Sequence, residues 1–318
     1  MILNDFRLQE GRLDKPAVIL IHGFGMTGQF WEHPDSCPVL GGLASLSVFL
    51  ADQPPASNKK VIAAGRPAAV LTGMAGRLAG DGYSVVNWSQ SAPLGSVASA
   101  VTELAEVVER AGEKLPGRPL WFIAHSRGGI IARSFVQNRP LEKIVGCITL
   151  GTPHHGTELA RLSRYLRPVG VFLRKVCGVS GSENKISRAL QRVGNFLSSE
   201  AIIELKPDSG LLASLHKPMP SRMALFSCGG TNPGLFSFYL RRGAGWKRLV
   251  FPDSFLRLLP DKKIPQELMA GSGDGLVSAA SAKLDNAAHR DYEVNHVQLA
   301  FDPEVYRWVT DILSGEGR

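Results

Sequence analysis

The first half of the sequence alternates short apolar runs with helical patterns, and this order restricts the fold more than any other feature. Strand-like runs lie at 16–21, 83–88, 119–124 and 143–150, and helical patterns lie at 67–79, 97–111 and 130–136. Continuous apolar runs are typical of strands that are covered on both faces. Strands and helices in alternation predict a parallel, doubly wound sheet with helices on both sides.

The alternation ends after Thr152 and Pro153. Residues 156–220 are largely helical and basic in pattern, a strand pattern returns at 222–228, a second excursion covers 229–268, and a strand pattern at 291–294 precedes a final helix. With 318 residues, 44% of them hydrophobic, the chain is long enough for one large core. We predict one α/β domain over 1–318, with helical cap or lid insertions at about 156–220 and 229–268.

A serine stands where the third strand pattern changes into a helix. Ser126 is flanked, two positions either side, by Ala124 and Gly128. A strand that turns directly into a helix strains the residue at the turn and needs small neighbours, because the two elements nearly touch there. This is the nucleophile-elbow pattern G-x-S-x-G with Ala in the first position. Taken alone, the pattern is also compatible with a Ser that caps a helix before a Gly-rich turn.

A serine hydroxyl becomes a good nucleophile when a histidine takes its proton and a carboxylate orients that histidine. His296 follows the last strand pattern, and Asp274 lies between two glycines before it, so the chain order is Ser, Asp, His. We therefore predict a triad of Ser126, Asp274 and His296. The alternatives considered for these roles are His22, His125, His154 and His155 for the base, and Asp261, Asp285 and Asp291 for the acid.

Two backbone N–H groups are expected to stabilise the negative charge that develops on the substrate oxygen. The first is that of Arg127, at the start of a helix, where the helix dipole assists. The second is that of Phe24, in the Gly-rich loop after the first apolar run. Neither role needs a side chain, so we expect Arg127→Ala to be milder than Ser126→Ala.

Five segments together resemble bacterial lipases and carboxylesterases of the α/β-hydrolase superfamily. They are H-G-F-G at 22–25, A-H-S-R-G-G at 124–129, L-G-T-P-H-H-G at 150–156, G-D-G-L-V-S at 273–278 and N-H-V-Q-L at 295–299. The Ala-first elbow and the 151–156 segment are similar to the triacylglycerol-lipase side of the superfamily. The resemblance implies an α/β-hydrolase fold, Ser126 with Asp274 and His296, and an oxyanion hole at Phe24 and Arg127. Some such enzymes bind a structural calcium near the histidine, but no acidic cluster suggests one here, so we expect no metal and no cofactor.

The positive charge is concentrated in the two insertions. Residues 157–192 hold eight Lys or Arg against two Glu, and residues 241–263 hold seven against two Asp, whereas the whole chain has a net charge of +8. Apolar residues recur at helical spacing between Leu159 and Val176, interrupted by Pro168. An apolar stripe with a basic face suits a lid or a lipid–water interface, although packing on the sheet would explain it equally well. No nucleic-acid-binding module is evident.

The N-terminus lacks a basic start followed by an apolar segment, and no stretch reaches 18 uninterrupted apolar residues. We therefore expect a cytoplasmic protein, with secretion of a processed form as the alternative. The four cysteines, Cys37, Cys147, Cys177 and Cys228, lack metal-ligand spacing, and a disulfide is neither demanded nor ruled out. Cys147 and Cys228 are expected to be buried thiols.

These features favour a serine hydrolase that cleaves carboxylic esters of apolar acyl chains through an acyl-enzyme. The substrate would be a small-molecule or lipid ester. An acyltransferase with the same triad is the nearest alternative. A second alternative is a hydrolase fold without catalysis that binds lipid or protein through its insertions.

Overall fold

The structure is a computed structural model. It describes residues 5–39, 44–56, 62–67, 71–138, 143–162, 199–215, 219, 223–243, 245–251 and 264–316. The strands in these ranges are β1 Arg7–Gln9, β2 Ala17–Ile21, β3 Pro38–Val39, β4 Ala44–Ser45, β5 Ile62–Ala64, β6 Ser84–Asn87, β7 Leu120–His125, β8 Ile144–Leu150, β9 Ala224–Gly230, β10 Phe236–Arg242, β11 Gly245–Phe251 and β12 Ala288–Tyr292. The α-helices are α1 Gln29–Glu32, α2 Met74–Gly80, α3 Val97–Lys114, α4 Arg127–Asn138, α5 Glu158–Leu162, α6 Glu200–Glu204, α7 Gly210–Ser214, α8 Ala279–Ala282 and α9 Pro303–Ser314.

Seven strands form the main sheet, in the order β1-β6-β2-β7-β8-β9-β12. Every neighbouring pair is parallel except β1 with β6, which is antiparallel. The mostly parallel sheet flanked by helices is confirmed. Edge strand β1 was not predicted, because three residues at a chain end carry too little pattern to distinguish a strand from a loop.

Alternate residues of the central strands enter two separate cores. In β2, Ala17, Ile19 and Ile21 pack with α3 and α4 on one face, while Val18 and Leu20 pack with α2 and α9 on the other. All five are fully buried. Since both faces are covered, the strand has no polar position, which explains its uninterrupted apolar sequence.

The second insertion differs from the helical expectation. Between β9 and residue 251 the chain forms the antiparallel hairpin β10–β11, which adds to β5 as a three-stranded sheet in the order β11-β10-β5. The aromatic residues Phe236, Phe238 and Phe251 pack with Phe49 on one side of this sheet. Aromatic residues at alternate positions favour a strand, and the prediction overlooked this period. Residues 252–263 lie outside the described part of the chain.

The first insertion is helical where it is described, in α5, α6 and α7. The predicted amphipathic stripe between Leu159 and Val176 begins in α5, and its part from Leu166 onwards lies outside the described residues, as do Pro168, Cys177 and Asp261. The described cysteines Cys37, Cys147 and Cys228 are buried thiols without a disulfide. The one-domain prediction over 1–318 stays a prediction.

Two predicted boundaries were wrong. The helix expected over 67–79 begins at Met74, because Gly73 is extended and lies so close to the Trp31 carbonyl that a Cβ would sit 2.0 Å from its oxygen. The last strand is Ala288–Tyr292 and not 291–294, because the Val294 N–H turns back onto the Tyr292 carbonyl at 2.8 Å. Asp291 therefore lies inside the strand.

Candidate active site

Ser126 lies at the sharp turn between β7 and α4. Its backbone is left-handed, with φ of 57°, which is strained for a residue other than glycine. The backbone is held by hydrogen bonds from the Ser126 N–H to the Leu150 carbonyl (2.8 Å) and from the Gly129 N–H to the Ser126 carbonyl (3.0 Å). The turn therefore has the geometry that the elbow pattern predicts.

The small residues around Ser126 are required by close backbone contacts. A Cβ on Gly128 would lie 2.4 Å from the Ile21 carbonyl oxygen, at the end of β2. A Cβ on Gly23 would lie 2.9 Å from the Cβ of Ser126. The loop after β2 and the start of α4 thus meet directly beside the serine, as the sequence pattern anticipates.

Asp274 and His296 form a buried pair. Nδ1 of His296 lies 2.8 Å from Oδ2 of Asp274, and each side chain is 1% exposed. The other carboxylate oxygen, Oδ1, accepts the N–H groups of Leu276 (3.0 Å) and Val277 (2.7 Å). The Asp274 carbonyl in turn accepts the N–H of His296 at 2.9 Å. This arrangement orients the imidazole so that Nε2 carries the lone pair available to a proton.

His125 links the elbow to this pair. Its Nε2 donates to the carbonyl of His296 at 2.9 Å, and the two ring centroids are 4.7 Å apart. Burial lowers the pKa of His125 well below its usual value, so the ring is neutral. Ser126 follows His125 directly, so the serine and the Asp274–His296 pair lie at the same edge of the sheet. The sequence did not suggest a role for the His125 side chain.

Two glycines leave room for the pair, and sequence reasoning missed both of them. A Cβ on Gly151, which has φ of 58°, would lie 3.1 Å from Nδ1 of His296 and 3.2 Å from Oδ2 of Asp274. A Cβ on Gly230, at the end of β9, would lie 2.7 Å from the Cβ of Asp274. Gly151 belongs to the 150–156 segment and directly follows β8. A glycine at the end of a buried strand was therefore an indication in the sequence that another side chain packs closely there.

The loop after β2 is fixed by His22. Its Nδ1 contacts the Gly23 carbonyl at 3.0 Å, and its Nε2 accepts the N–H of Gln90 at 3.1 Å. Burial lowers the pKa of His22 to about 4, so the ring is neutral and carries its proton on Nδ1. His22 therefore orients the loop that contains Phe24, which is half-buried.

Arg127 is the first residue of α4, and its side chain is fully buried. Burial lowers the pKa of the guanidinium to about 10, and the carboxylates of Glu204, Glu200 and Glu103 oppose this effect. Nη1 donates to Oε1 of Gln90 at 2.8 Å, and Nη2 donates to the Gly95 carbonyl at 2.5 Å. Sequence reasoning assigned Arg127 a backbone role only, because nothing in the local pattern indicates that the charge is buried.

The alternative candidates lie elsewhere in the structure. Asp291 is 45% exposed and contacts His289 at 3.0 Å, and Asp285 lies in an exposed turn. His154 is buried with Nε2 at 3.1 Å from the Thr149 hydroxyl, and burial lowers its pKa well below the usual value. His155 is exposed. In contrast to Asp274 and His296, these side chains do not form a buried Asp–His pair.

Comparison with known proteins agrees with the fold described above. Residues 16–176, just over half of the chain, match the family model described as the alpha/beta hydrolase fold. The chain belongs to the α/β-hydrolase family. No curated sequence is significantly similar to it.

Two solved structures superpose on nearly the whole chain. A lipase from Bacillus licheniformis in its mature form is 16% identical, with a TM-score of 0.60 and 97% of each chain covered. A metagenomic carboxyl esterase is 14% identical, with a TM-score of 0.51, covering 97% of this chain and 73% of its own. At these identities the likeness shows the fold that the two proteins share with this chain.

Within the part of the chain that the structure describes, His, Cys, Asp and Glu side chains form no group of three or more that could hold a metal ion. Within the same ranges, no helix combines the length and apolar character needed to cross a membrane.

Proposed function

We propose that this α/β hydrolase is a serine hydrolase that cleaves carboxylic esters of apolar acyl chains, as a lipase or esterase. The observation that carries the proposal is the buried Asp274–His296 pair beside the strained Ser126 turn. Strain of this kind is retained where a side chain must be presented at a defined position. The two structures that superpose on this chain, a lipase and a carboxyl esterase, support the same activity.

The reaction follows from the positions of these three residues. Oγ of Ser126 forms a bond to the acyl carbon while its proton passes to Nε2 of His296, and Asp274 stabilises the resulting imidazolium. The carbonyl π electrons move to oxygen, which is stabilised by the N–H groups of Phe24 and Arg127. The oxyanion collapses, the C–O bond to the alcohol breaks, and the alcohol leaves with the His296 proton. Water then repeats the sequence on the acyl-enzyme and releases the acid.

The preference for apolar acyl chains, and a lipid–water interface as the place of action, rest on the insertions. The hairpin β10–β11 carries four exposed basic residues next to the half-buried Trp246. They are Arg241, Arg242, Lys247 and Arg248. Exposed cations beside an aromatic ring are compatible with contact to an anionic lipid surface. The sequence-based expectation of a lipid contact stays a proposal.

Replacement of the proposed nucleophile tests the function. Ser126→Ala is expected to lower p-nitrophenyl ester hydrolysis by at least about 10³-fold, because triad residues act as a unit. Ser134→Ala, at a buried Ser inside α4, is the matched control and is expected to keep most of the activity. Full activity in Ser126→Ala would exclude the proposed function. Profiling acyl chain lengths with and without an emulsion then separates a lipase from an esterase.

A competing alcohol separates hydrolysis from acyl transfer, since both use the same triad. With this alcohol present, a hydrolase is expected to release mainly the free acid, whereas an acyltransferase would release mainly the new ester. A protein that only binds lipid would release neither product and would fail to react with a fluorophosphonate.

A further inference from the structure

The buried guanidinium of Arg127 is connected to the loop after β2 by a single residue, Gln90. Arg127 donates to Oε1 of Gln90 at 2.8 Å, and Nε2 of Gln90 donates to the carbonyl of His22 at 3.1 Å. That carbonyl belongs to the loop that contains Phe24. A side chain from the helix that follows Ser126 is therefore linked, through one amide, to the loop on the other side of the serine.

The chemistry of the two ends fixes the orientation of the Gln90 amide. A guanidinium can only donate hydrogen bonds, and a backbone carbonyl can only accept them. Oε1 must therefore face Arg127 and Nε2 must face His22. A carboxylate at position 90 would keep the bond to Arg127 but would have no donor for the His22 carbonyl.

Gln90 also contacts the His22 ring. Its backbone N–H donates to Nε2 of His22, which leaves the proton on Nδ1 for the Gly23 carbonyl. Gln90 thus holds the loop at the His22 carbonyl by its side chain and at the His22 ring by its backbone. Both bonds are made to His22, two residues before Phe24 in the chain.

The cost of burying this cation suggests that its position matters. Arg127 is fully buried, and its hydrogen-bond partners among the described residues are neutral, namely Gln90 Oε1 and the Gly95 carbonyl. A buried charge without a bonded carboxylate opposes folding. Three carboxylates compensate in part through their charge, and the largest contribution comes from Glu204, in the first insertion, whose carboxylate accepts the N–H of Val97 at 2.8 Å.

We propose that the Arg127 guanidinium, acting through Gln90, is the positioning group for the 22–24 loop and thereby for the oxyanion hole beside Ser126. The proposal rests on the esterase function proposed above. Arg127 then contributes twice, its backbone N–H contacting the oxyanion and its side chain placing the second donor. Displacement of a donor by about 1 Å costs up to about a hundredfold in rate, so a positioning group can matter without contacting substrate.

The test compares an ester with the matching thionoester, in which sulfur replaces the carbonyl oxygen. Sulfur is a weak hydrogen-bond acceptor, so the ratio of kcat/KM for the two substrates reports how well the oxyanion hole binds oxygen. Arg127→Met keeps the backbone N–H, and Gln90→Glu keeps the bond to Arg127. Each is expected to lower oxoester kcat/KM by about 10- to 100-fold and the oxo-to-thiono ratio by about tenfold, with KM within about twofold.

Arg133→Met is the matched control. Arg133 is a second buried arginine on α4, and it donates to the carbonyls of His154 and Leu215, away from the 22–24 loop. Loss of this arginine is expected to lower stability and leave the oxo-to-thiono ratio within about twofold of wild type. Rates are divided by the fraction of protein that a fluorophosphonate labels, so partial unfolding does not lower the reported kcat/KM of a variant.

An oxo-to-thiono ratio equal to that of the wild-type protein, in either Gln90→Glu or Arg127→Met, would overturn the proposal. If Arg127→Met does not fold, Gln90→Glu decides alone, because it replaces one oxygen-bearing side chain with another of the same size. The wild-type protein could instead hydrolyse neither ester and remain unlabelled at Ser126, and this result is distinct from a wild-type ratio in a variant. It would remove the proposed function, and the positioning role with it.

Discussion

The carbonyl of His296 accepts a hydrogen bond from Nε2 of His125, the residue that precedes Ser126, at 2.9 Å. The backbone of the proposed base, His296, is therefore hydrogen-bonded to the side chain of the residue that precedes the proposed nucleophile, Ser126. His125 also stacks on Phe30, with ring centroids 4.7 Å apart. These contacts fix the distance between the segments of Ser126 and His296 independently of any substrate.

Removal of the His125 hydrogen bond should change kcat more than it changes KM. In His125→Phe the ring is kept but the His296 carbonyl loses its buried donor, which costs about 1–3 kcal/mol of unfolding free energy. We expect kcat to fall by roughly tenfold, with little change in KM. Urea unfolding and steady-state kinetics measure the two effects. Unchanged kcat in a destabilised variant would show that His125 serves packing alone.

The acid of the triad can be tested against a matched Asp–His pair. Asp274→Asn is expected to lower kcat by about 10³- to 10⁴-fold, because an amide cannot stabilise the imidazolium and favours the wrong tautomer. Asp291→Asn removes the partner of His289 at 3.0 Å, on the exposed strand β12, and should leave kcat within about twofold. Equal losses in the two variants would contradict the assignment of Asp274.

Gly151 is expected to be intolerant of any side chain. Gly151→Ala would place a Cβ within about 3.2 Å of both His296 and Asp274 at a backbone φ of 58°, so kcat should fall by about 100-fold or more. Gly117→Ala is the control for strain alone, since Gly117 has φ of 73° and open space around its Cβ position. It should cost about 1 kcal/mol of stability and no activity. Comparable kcat in both variants would be the contrary result.

Buried neutral histidines make stability depend on pH. The pKa of His22 is about 4 in the folded chain against 6.5 when unfolded. The full contribution of His22 to the free energy of unfolding is therefore present above pH 6.5. As the pH falls from 6.5 towards 4 the unfolded chain binds the extra proton, and His22 alone should remove up to about 3 kcal/mol of unfolding free energy. Urea unfolding between pH 7 and 4.5 measures this slope. His22→Gln should show a smaller slope, and an identical slope would contradict the assignment.

The sequence predicted the parallel sheet because β2, β7 and β8 are covered on both faces and are almost wholly apolar, with Thr149 and the terminal His125 as the polar exceptions. It placed Ser126, Asp274 and His296 at one sheet edge because the carboxyl ends of parallel strands lie together. The roles of these residues, and of Phe24 and Arg127, stay predictions until they are measured.

Contacts between distant segments were beyond the reach of sequence reasoning. The burial of the Arg127 guanidinium depends on Gln90 and Gly95, some thirty residues earlier, and no local period reveals it. The room that Gly151 leaves for Asp274 and His296 is likewise visible only in three dimensions. The hairpin β10–β11 was missed for a different reason. Its mixture of basic and apolar residues also fits an amphipathic helix, so the alternation of its aromatic residues was overlooked.

The central claim is that Ser126 carries the acyl group during turnover. Rapid mixing with a p-nitrophenyl ester, an acid quench and mass spectrometry of the digested protein test it directly. The account predicts a burst of p-nitrophenol that approaches one per active site, together with the added mass of one acyl group on the peptide that contains Ser126. Steady turnover with the acyl mass on another residue, or with Ser126 unmodified and unreactive towards a fluorophosphonate, would contradict it.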